Sequence, residues 1–476
     1  MLWLLIFMLV FIVQVVVVLF MEFKNPSKTT AWLLIIFLLP VVGFMLYYLV
    51  AREYQKRRLV RRRGKRLQPK LPGGVIHRIE VAMRSRELKN KEAARQKRLF
   101  RLLQSIPESP ITKCNETEIY SGGKEKFRAL KEVLEKARDH IHVEYYTIRA
   151  DGIGTEIQEI LIRKAKEGVE VRVIYDGLGS YDLSGAYVQE LTEAGAQVHC
   201  FFPLRSAVLA RNLNYRNHRK IVVVDGDIGF LGGINIGDEY LGRDPKLGYW
   251  RDTHMKLRGD SVYFLQQTFL NDWEFVSGEK LTDERYFPAH GCEGSEQVQI
   301  IASGPDAHWD TILEMYFGAI NSATDRILIV TPYFIPDPSL QMALKTASLS
   351  GVDIQIILPG ITDNILVKWA SFSYIEELMQ AGIRFYLYNK GFVHAKILIV
   401  DETIASVGTA NMDMRSFYDN FELNAVMFDK KTIDYLVEDF REDLQESTEI
   451  RQKEFSKRSR YQRGKEVLAR MLSPLL

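Results

Sequence analysis

Cysteine is scarce: the 476 residues hold three, Cys114, Cys200 and Cys292, scattered and odd in number. They match no zinc-ligand or disulfide spacing, which predicts reduced thiols in a cytosol-facing chain. Metal-hydrolase signatures are missing too. No H-E-x-x-H or H-x-x-E-H occurs, and the acids do not gather at ligand spacings. A metal-bound phosphodiesterase needs several convergent carboxylates, so no metal or other cofactor is expected. Most of the chain also lacks an excess of basic charge. Of the formal net charge of +3, residues 51–70 contribute +9, with ten Lys or Arg against Glu53, leaving −6 for the rest. A net-acidic body is poor support for nucleic-acid binding, which needs basic residues spread over the working surface.

Long apolar runs are present only at the start. Met1 to Phe20 is apolar apart from Gln14, and Ala31 to Val50 is a second run with Trp32 near one end and Tyr47-Tyr48 near the other. Each is long enough to cross a bilayer, and the aromatics fall where interfacial anchors belong. The first run has no basic n-region and no small-residue cleavage site, so it reads as an uncleaved span rather than a signal peptide. Pro40 is expected to kink the second. The basic run 51–70 fixes the second exit on the cytoplasmic side, and adds attraction to anionic headgroups. On this reading Met21 to Thr30 faces outward, and the N-terminus and everything after residue 50 face the cytoplasm.

The strongest signal is a repeated motif. His218-Arg219-Lys220 leads through Ile221-Val222-Val223-Val224 to Asp225, and His394-Ala395-Lys396 through Ile397-Leu398-Ile399-Val400 to Asp401. Both read H-x-K-x4-D. Gly232-Gly233 and Gly408-Thr409 stand at matching offsets, as do Asn235 and Asn411, which marks an internal duplication. Each four-residue apolar run reads as a strand buried on both faces. Residues two apart on a strand project together, so each His and Lys should share a face. The Asp lies at an odd offset from the His. Although it belongs to the motif and is carried in the candidate catalytic set, Asp225 or Asp401 is better placed to brace a strand end or loop.

The surrounding pattern repeats as well. Strands are predicted at His140–Ile148, Val169–Tyr175 and Gln197–Phe201, with helices at Gly154–Glu167 and ending at Ala194-Gly195. Counterparts follow at Arg326–Ile335, Gly351–Pro359 and Arg384–Leu387, with helices at Leu340–Ser348 and ending at Ala381-Gly382. The expected fold is α/β, with two mixed-sheet halves about a pseudo-twofold and both motifs at their seam. The expected segments are an anchor (1–50), a basic amphipathic connector (51–113), a first half (114–290) and a second half with C-terminal helices (291–476). The first half carries about eleven extra residues between Gly195 and His218, within an insertion at Leu204 to Asn217, where loops often cover a site. Leu204, Val208, Leu209 and Leu213 stand among the arginines of that insertion.

Two His, two Lys and two Asn in one pocket suit displacement at phosphorus. Lys220, Lys396, Asn235 and Asn411, with the Gly232 and Gly408 backbone, could serve the equatorial oxygens. One neutral imidazole can attack while a protonated one serves the leaving alkoxide, which requires environments that push the two pKa values apart. Each half also offers an acid to orient its own histidine: Asp252 for His218 and Glu422 for His394. His254 is read as structural.

The paired H-x-K-x4-D with Gly-Gly or Gly-Thr and Asn resembles the phospholipase D superfamily. Asn25-Pro26-Ser27, Ala31-Trp32, Trp250-Arg251-Asp252-Thr253, Thr331-Pro332-Tyr333-Phe334 and Ser473-Pro474-Leu475-Leu476 resemble one branch, the bacterial cardiolipin synthases. The resemblance implies transfer of a phosphatidyl group from one phosphatidylglycerol to another through a phosphatidyl-histidine, giving cardiolipin and glycerol. It implies His218 as nucleophile, His394 as acid and then base, and a location in the bacterial cell membrane; sequence symmetry alone does not choose between the histidines. A membrane-anchored phospholipase D or a phosphatidylserine synthase would use the same residues. An endonuclease fits poorly with the anchor and acidic body, and an inert scaffold fits poorly with six matched polar groups. Oligomeric state is not legible.

Overall fold

A computed structural model describes residues 2–21, 26–50, 74, 89–90, 93, 95–203, 215–292, 294–307 and 309–473. Most of the basic connector and residues 204–214 of the insertion lie outside the described residues.

The body is one large mixed sheet. Its strands are β1 (Ile111–Gly122), β2 (His140–Tyr145), β3 (Glu170–Asp176), β4 (Gln197–Phe201), β5 (Ile221–Val224), β6 (Ile228–Gly232) and β7 (Tyr249–Gly259). They continue with β8 (Glu296–Ser303), β9 (Arg326–Val330), β10 (Asp353–Pro359), β11 (Arg384–Tyr388), β12 (Ile397–Val400), β13 (Ile404–Gly408) and β14 (Asn420–Met427). In the first copy β2, β3 and β4 run parallel, and β2 is followed across the sheet by antiparallel β5, β6 and β7. The second copy repeats this with β9, β10 and β11 parallel, then β12, β13 and β14 antiparallel. Antiparallel β1 and β8 join β7 to β14. The expectation of two sheets packed together is therefore corrected to a single sheet. β1 and β8, which the repeat pattern did not reveal, close the gap between the copies.

The motif strands are buried on both faces, as their composition predicts. Ile221 and Val223 face a core shared with helices α4 (Ser261–Ser277) and α6 (Lys430–Gln445), while Val222 and Val224 face the helices of the first copy. Ile397 and Ile399 join that same shared core, and Leu398 and Val400 join a separate cluster with the helix Thr311–Ser322 and with α5 (Ile365–Gln380). The turn glycines of the repeat match too: Gly168 and Gly351 have φ of +93° and +99°, a region where a Cβ is costly.

Two other expectations fail. Cys114 and Cys292 are joined as a disulfide with Cα atoms 4.8 Å apart, leaving Cys200 free. A separation of 178 residues carries no local signal. The pairing arises because the approach to β8 runs so close to β1 that a Cβ on Gly294 would lie 2.0 Å from the Asn115 carbonyl oxygen.

The second apolar run is not one span. It is split into α2 (Pro26–Leu38) and α3 (Pro40–Val50), which fold back on each other. The Trp32 and Tyr47 rings meet edge-on at 5.4 Å, and a Cβ on Gly43 would lie 2.8 Å from the Ile35 carbonyl oxygen. Pro40 has no N–H to continue the first helix but suits the first turn of the next, and Gly43 allows the close crossing. The hairpin packs on α1 (Leu2–Met21) through Val18, Trp32, Ile36 and Tyr47. Among the described residues no helix is long and apolar enough to cross a membrane. Lys28, at the start of α2, pairs with Asp419 at 2.9 Å. The segment expected to face outward therefore touches the body of the protein.

Candidate active site

Each motif enters the site by crossing to the other copy. Arg216 and Asn217 pair in parallel with Asn420 and Phe421 of β14, and Val393 pairs with Arg251 of β7. The His218 amide then donates to the Phe421 carbonyl at 2.9 Å, and the His394 amide to the Arg251 carbonyl at 2.7 Å. Each histidine is thereby set beside the acid that follows its crossing partner. His218 Nδ1 lies 3.0 Å from Glu422, and His394 Nδ1 lies 2.7 Å from Asp252. The expected pairing within each copy is corrected: the acids are exchanged. Nothing local in the sequence encodes this, because the paired residues are 204 and 142 positions apart in the chain.

The acids are held from several sides. Glu422 also accepts from Thr409 Oγ1 and from Asn420 Nδ2 at 3.1 Å. Asp252 accepts from its neighbour's amide, Thr253 N, at 2.7 Å. A Cβ on Gly233 would lie 2.0 Å from Asp252 Oδ1, so the second glycine of the first copy clears space for that carboxylate. The matching residue in the second copy, Thr409, fills its space and donates to Glu422 instead. Both acids are fully buried. Burial pushes their pKa values up, but the facing histidine and the nearby lysine outweigh it and hold both below the ordinary carboxylate value.

The strands proper start one residue after each Lys, yet both lysines turn back to the site. Lys220 Nζ donates to the His218 carbonyl at 2.8 Å, and Lys396 Nζ to that of His394. Burial, partly opposed by Glu422, lowers Lys220 to about 7. Burial, partly opposed by Asp252, lowers Lys396 to about 8. Burial drives His218 down to about 4 against the pull of Glu422, and drives His394 to about 3 with Lys396 adding to it. Burial thus disfavours the charged form of both imidazoles, and the expected split between them is not produced by the protein groups alone.

Asp225 and Asp401 sit in left-handed backbone, at φ of 53° and 51°, which Asp tolerates better than most residues. The Asp225 carboxylate accepts from the amides of Arg138, Asp139 and His140, and that of Asp401 from Thr324, Asp325 and Arg326. Both brace the chain entering the first strand of their copy. Asn235 is anchored between the Thr147 amide (3.2 Å) and the Tyr240 hydroxyl (3.0 Å). Asn411 Oδ1 is buried with no hydrogen-bond partner among the described residues. Gly232 and Gly408 pack their Cα atoms against His254 and Asn424. His254 is fully buried, and neither ring nitrogen has a partner among the described residues.

Several neighbours were not foreseen. The Tyr146 ring meets His218 edge-on at 5.1 Å and lies 5.4 Å from Lys220 Nζ. Trp250 tilts against His394 at 5.2 Å. Tyr146 follows β2 at its carboxyl end, where ligands collect in α/β sheets, and that position was a usable signal. Among the described residues no group of three or more His, Cys, Asp or Glu side chains is placed to hold a metal ion.

A mixed sheet carrying two H-x-K segments is the phospholipase D-like arrangement. A family model described as "Cardiolipin synthase, PLD-like domain" matches twice, at residues 130–257 and 316–444, and one described as "Phospholipase_D-nuclease N-terminal" matches residues 3–52. The chain belongs to the cardiolipin synthase family of phospholipase D-like proteins. It is 45% identical to cardiolipin synthase 2 of Bacillus anthracis, over 96% of this chain and 89% of that protein. It is 41% identical to the major cardiolipin synthase of Bacillus subtilis, over 99% and 98% of the two. Among solved structures, the phosphatidylserine synthase of Haemophilus influenzae shares the fold, with TM-score 0.64 and 16% identity over 80% of this chain and 100% of that one.

Proposed function

We propose that this chain is a cardiolipin synthase, transferring a phosphatidyl group from one phosphatidylglycerol to a second. The observation that carries the mechanism is the exchanged pair of His–carboxylate contacts, which gives two oriented imidazoles in one buried pocket. Glu422 holds Nδ1–H of His218, leaving Nε2 as the free lone pair. His218 Nε2 attacks phosphorus as the P–O bond to glycerol breaks, and His394, protonated, hands its proton to the departing glycerol oxygen. Burial disfavours a second proton on either imidazole, so the phosphodiester's own negative charge supplies the field that protonates one of the two. The acceptor's terminal hydroxyl then gives its proton to the now neutral His394 and attacks phosphorus, the P–N bond breaks, and cardiolipin leaves. Lys220 and Lys396 stabilise the charge on the equatorial oxygens, with Asn235, Asn411 and the Gly232 and Gly408 backbone beside them. An alcohol acceptor requires a pocket shielded from water, which the buried setting supports.

The body is an anchored unit of a first half (114–290) and a second half (291–476) related by pseudo-twofold duplication, behind the anchor (1–50) and connector (51–113). At about 1.5 Å per residue the α2–α3 hairpin is roughly 20 Å deep, less than a hydrocarbon core of about 30 Å. It enters and leaves the cell membrane on one face, the cytoplasmic face that the basic run selects. The test is product analysis with phosphatidylglycerol alone and EDTA present. Cardiolipin plus glycerol, lost in His218→Ala and His394→Ala, supports the synthase. Phosphatidate as main product makes the chain a hydrolase.

A further inference from the structure

The C-terminal helix α7 (Arg460–Leu472) inverts the usual polarity of a surface helix. Its inward side, packed on α5, carries Ala469 and the charged Glu466, which is 3% exposed and paired with Arg458 at 3.3 Å. Its outward side carries Tyr461, Val467, Leu468 and Met471, exposed by 75, 57, 58 and 37%. At about 100° per residue these four fall within one arc of about 120° and form one face of the helix, a single stripe. Burying a carboxylate while exposing three aliphatic side chains costs stability in water, and is favourable only if the stripe meets something apolar.

The charge pattern and the neighbourhood say what that is. Arg460 and Arg463 are exposed at the amino end of the stripe. Lys465 lies over the Tyr461 ring at 4.3 Å, keeping a cation beside the apolar face. Basic residues flanking an apolar stripe are the composition of a helix lying in the boundary between headgroups and acyl chains. α7 also touches α2 of the hairpin, on which Phe37, Leu38, Val41 and Val42 are exposed.

We propose that α7 is a second membrane-binding element: its Tyr461–Val467–Leu468–Met471 stripe lies in the headgroup–acyl boundary of the anionic leaflet that the α2–α3 hairpin enters. Chain start and chain end then grip one leaflet from adjacent positions. This rests on the membrane placement of the hairpin proposed above. α5, which α7 covers, has its amino end just beyond Asp363, the partner of Tyr333. Asp363 in turn is among the acids acting on Lys396.

The test uses the full chain in phosphatidylglycerol-containing vesicles, with Leu468→Cys carrying an NBD fluorophore in a Cys200→Ser background. The expected result is quenching by lipids with a doxyl group near the headgroup and protection from aqueous iodide. Quenching by iodide alone overturns the proposal, as it leaves the stripe in water. Protection from both quenchers, with the unlabelled Leu468→Cys variant crosslinking between copies through its new thiol, also overturns it and makes the stripe a self-association surface. No turnover is needed, so failure here is distinct from failure of the synthase reading. A second variant, V467S/L468S/M471S, should keep its melting temperature and its kcat at saturating lipid while KM for vesicle lipid rises about tenfold; an unchanged KM counts against docking.

Discussion

Glu422→Gln isolates what the exchanged pairing does for catalysis. Gln keeps the volume of the buried side chain and can still accept from His218 Nδ1, so the orientation survives and the negative charge does not. That charge matters when His218 carries the phosphatidyl group, because its ring is then cationic. The contact is 3.0 Å between Nδ1 and the nearer oxygen. With charge centres about 4 Å apart and an effective dielectric of about 20, the attraction is about 4 kcal/mol. The amide dipole of Gln restores about 1 kcal/mol through the remaining hydrogen bond. A net loss of about 3 kcal/mol corresponds to a rate about a hundredfold slower for forming the intermediate. The assay is the pre-steady-state burst with a phosphatidyl ester of p-nitrophenol, whose leaving group departs as the anion and needs no acid. In that assay Glu422→Gln should slow the burst about a hundredfold, and Asp252→Asn, which serves only the acid His394, by less than about tenfold. With natural phosphatidylglycerol both variants should be slow. A burst slowed by Asp252→Asn and spared by Glu422→Gln would refute the assignment of His218 as the nucleophile supported by Glu422.

Other expectations follow from the same geometry. Because the lysine pKa values are lowered, to about 7 for Lys220 and about 8 for Lys396, their charge is lost as pH rises. The kcat/KM should therefore fall from about pH 7 upward, while kcat holds to higher pH because bound phosphate raises both values; a kcat/KM flat to about pH 10 would contradict this. Gly233→Ala should displace the Asp252 carboxylate, since the added Cβ would lie 2.0 Å from Oδ1, and its turnover of phosphatidylglycerol should match that of Asp252→Asn. Thr30→Cys in a Cys200→Ser background should react with a membrane-impermeant maleimide only from the side bearing the catalytic body; labelling from the opposite side would support the two-span topology instead. Thiol titration of denatured, unreduced protein should count Cys200 alone, with Cys114 and Cys292 appearing after reduction; three thiols before reduction would deny the disulfide.

The sequence was most readable where period and repetition act locally. The buried runs after Lys220 and Lys396, the strand–helix alternation and the bracing role of Asp225 and Asp401 follow from spacing alone. The acids Asp252 and Glu422 were found, but their partners were not. Ownership of each acid is decided by the parallel pairing of Asn217 with Phe421 and of Val393 with Arg251, contacts between strands remote in sequence. The same limit hid the Cys114–Cys292 bridge and the role of β1 and β8. For the second apolar run hydropathy gave the right composition but not the fold-back at Pro40. A twenty-residue apolar run reads alike whether straight or folded at Pro40, and only the meeting of Trp32 with Tyr47 separates the two.

The crossing of the two motif segments also bears on how such a chain can change over generations. A substitution at Glu422 is felt by the histidine of the opposite repeat, and so is one at Asp252. Neither repeat can decay, or be cut away, while the other keeps working. A half-length ancestor holding one motif would have had to borrow its carboxylate from a second molecule. Joining two such halves in tandem would fix that loan within a single chain, after which Gly233 and Thr409 were free to become different solutions to seating an acid.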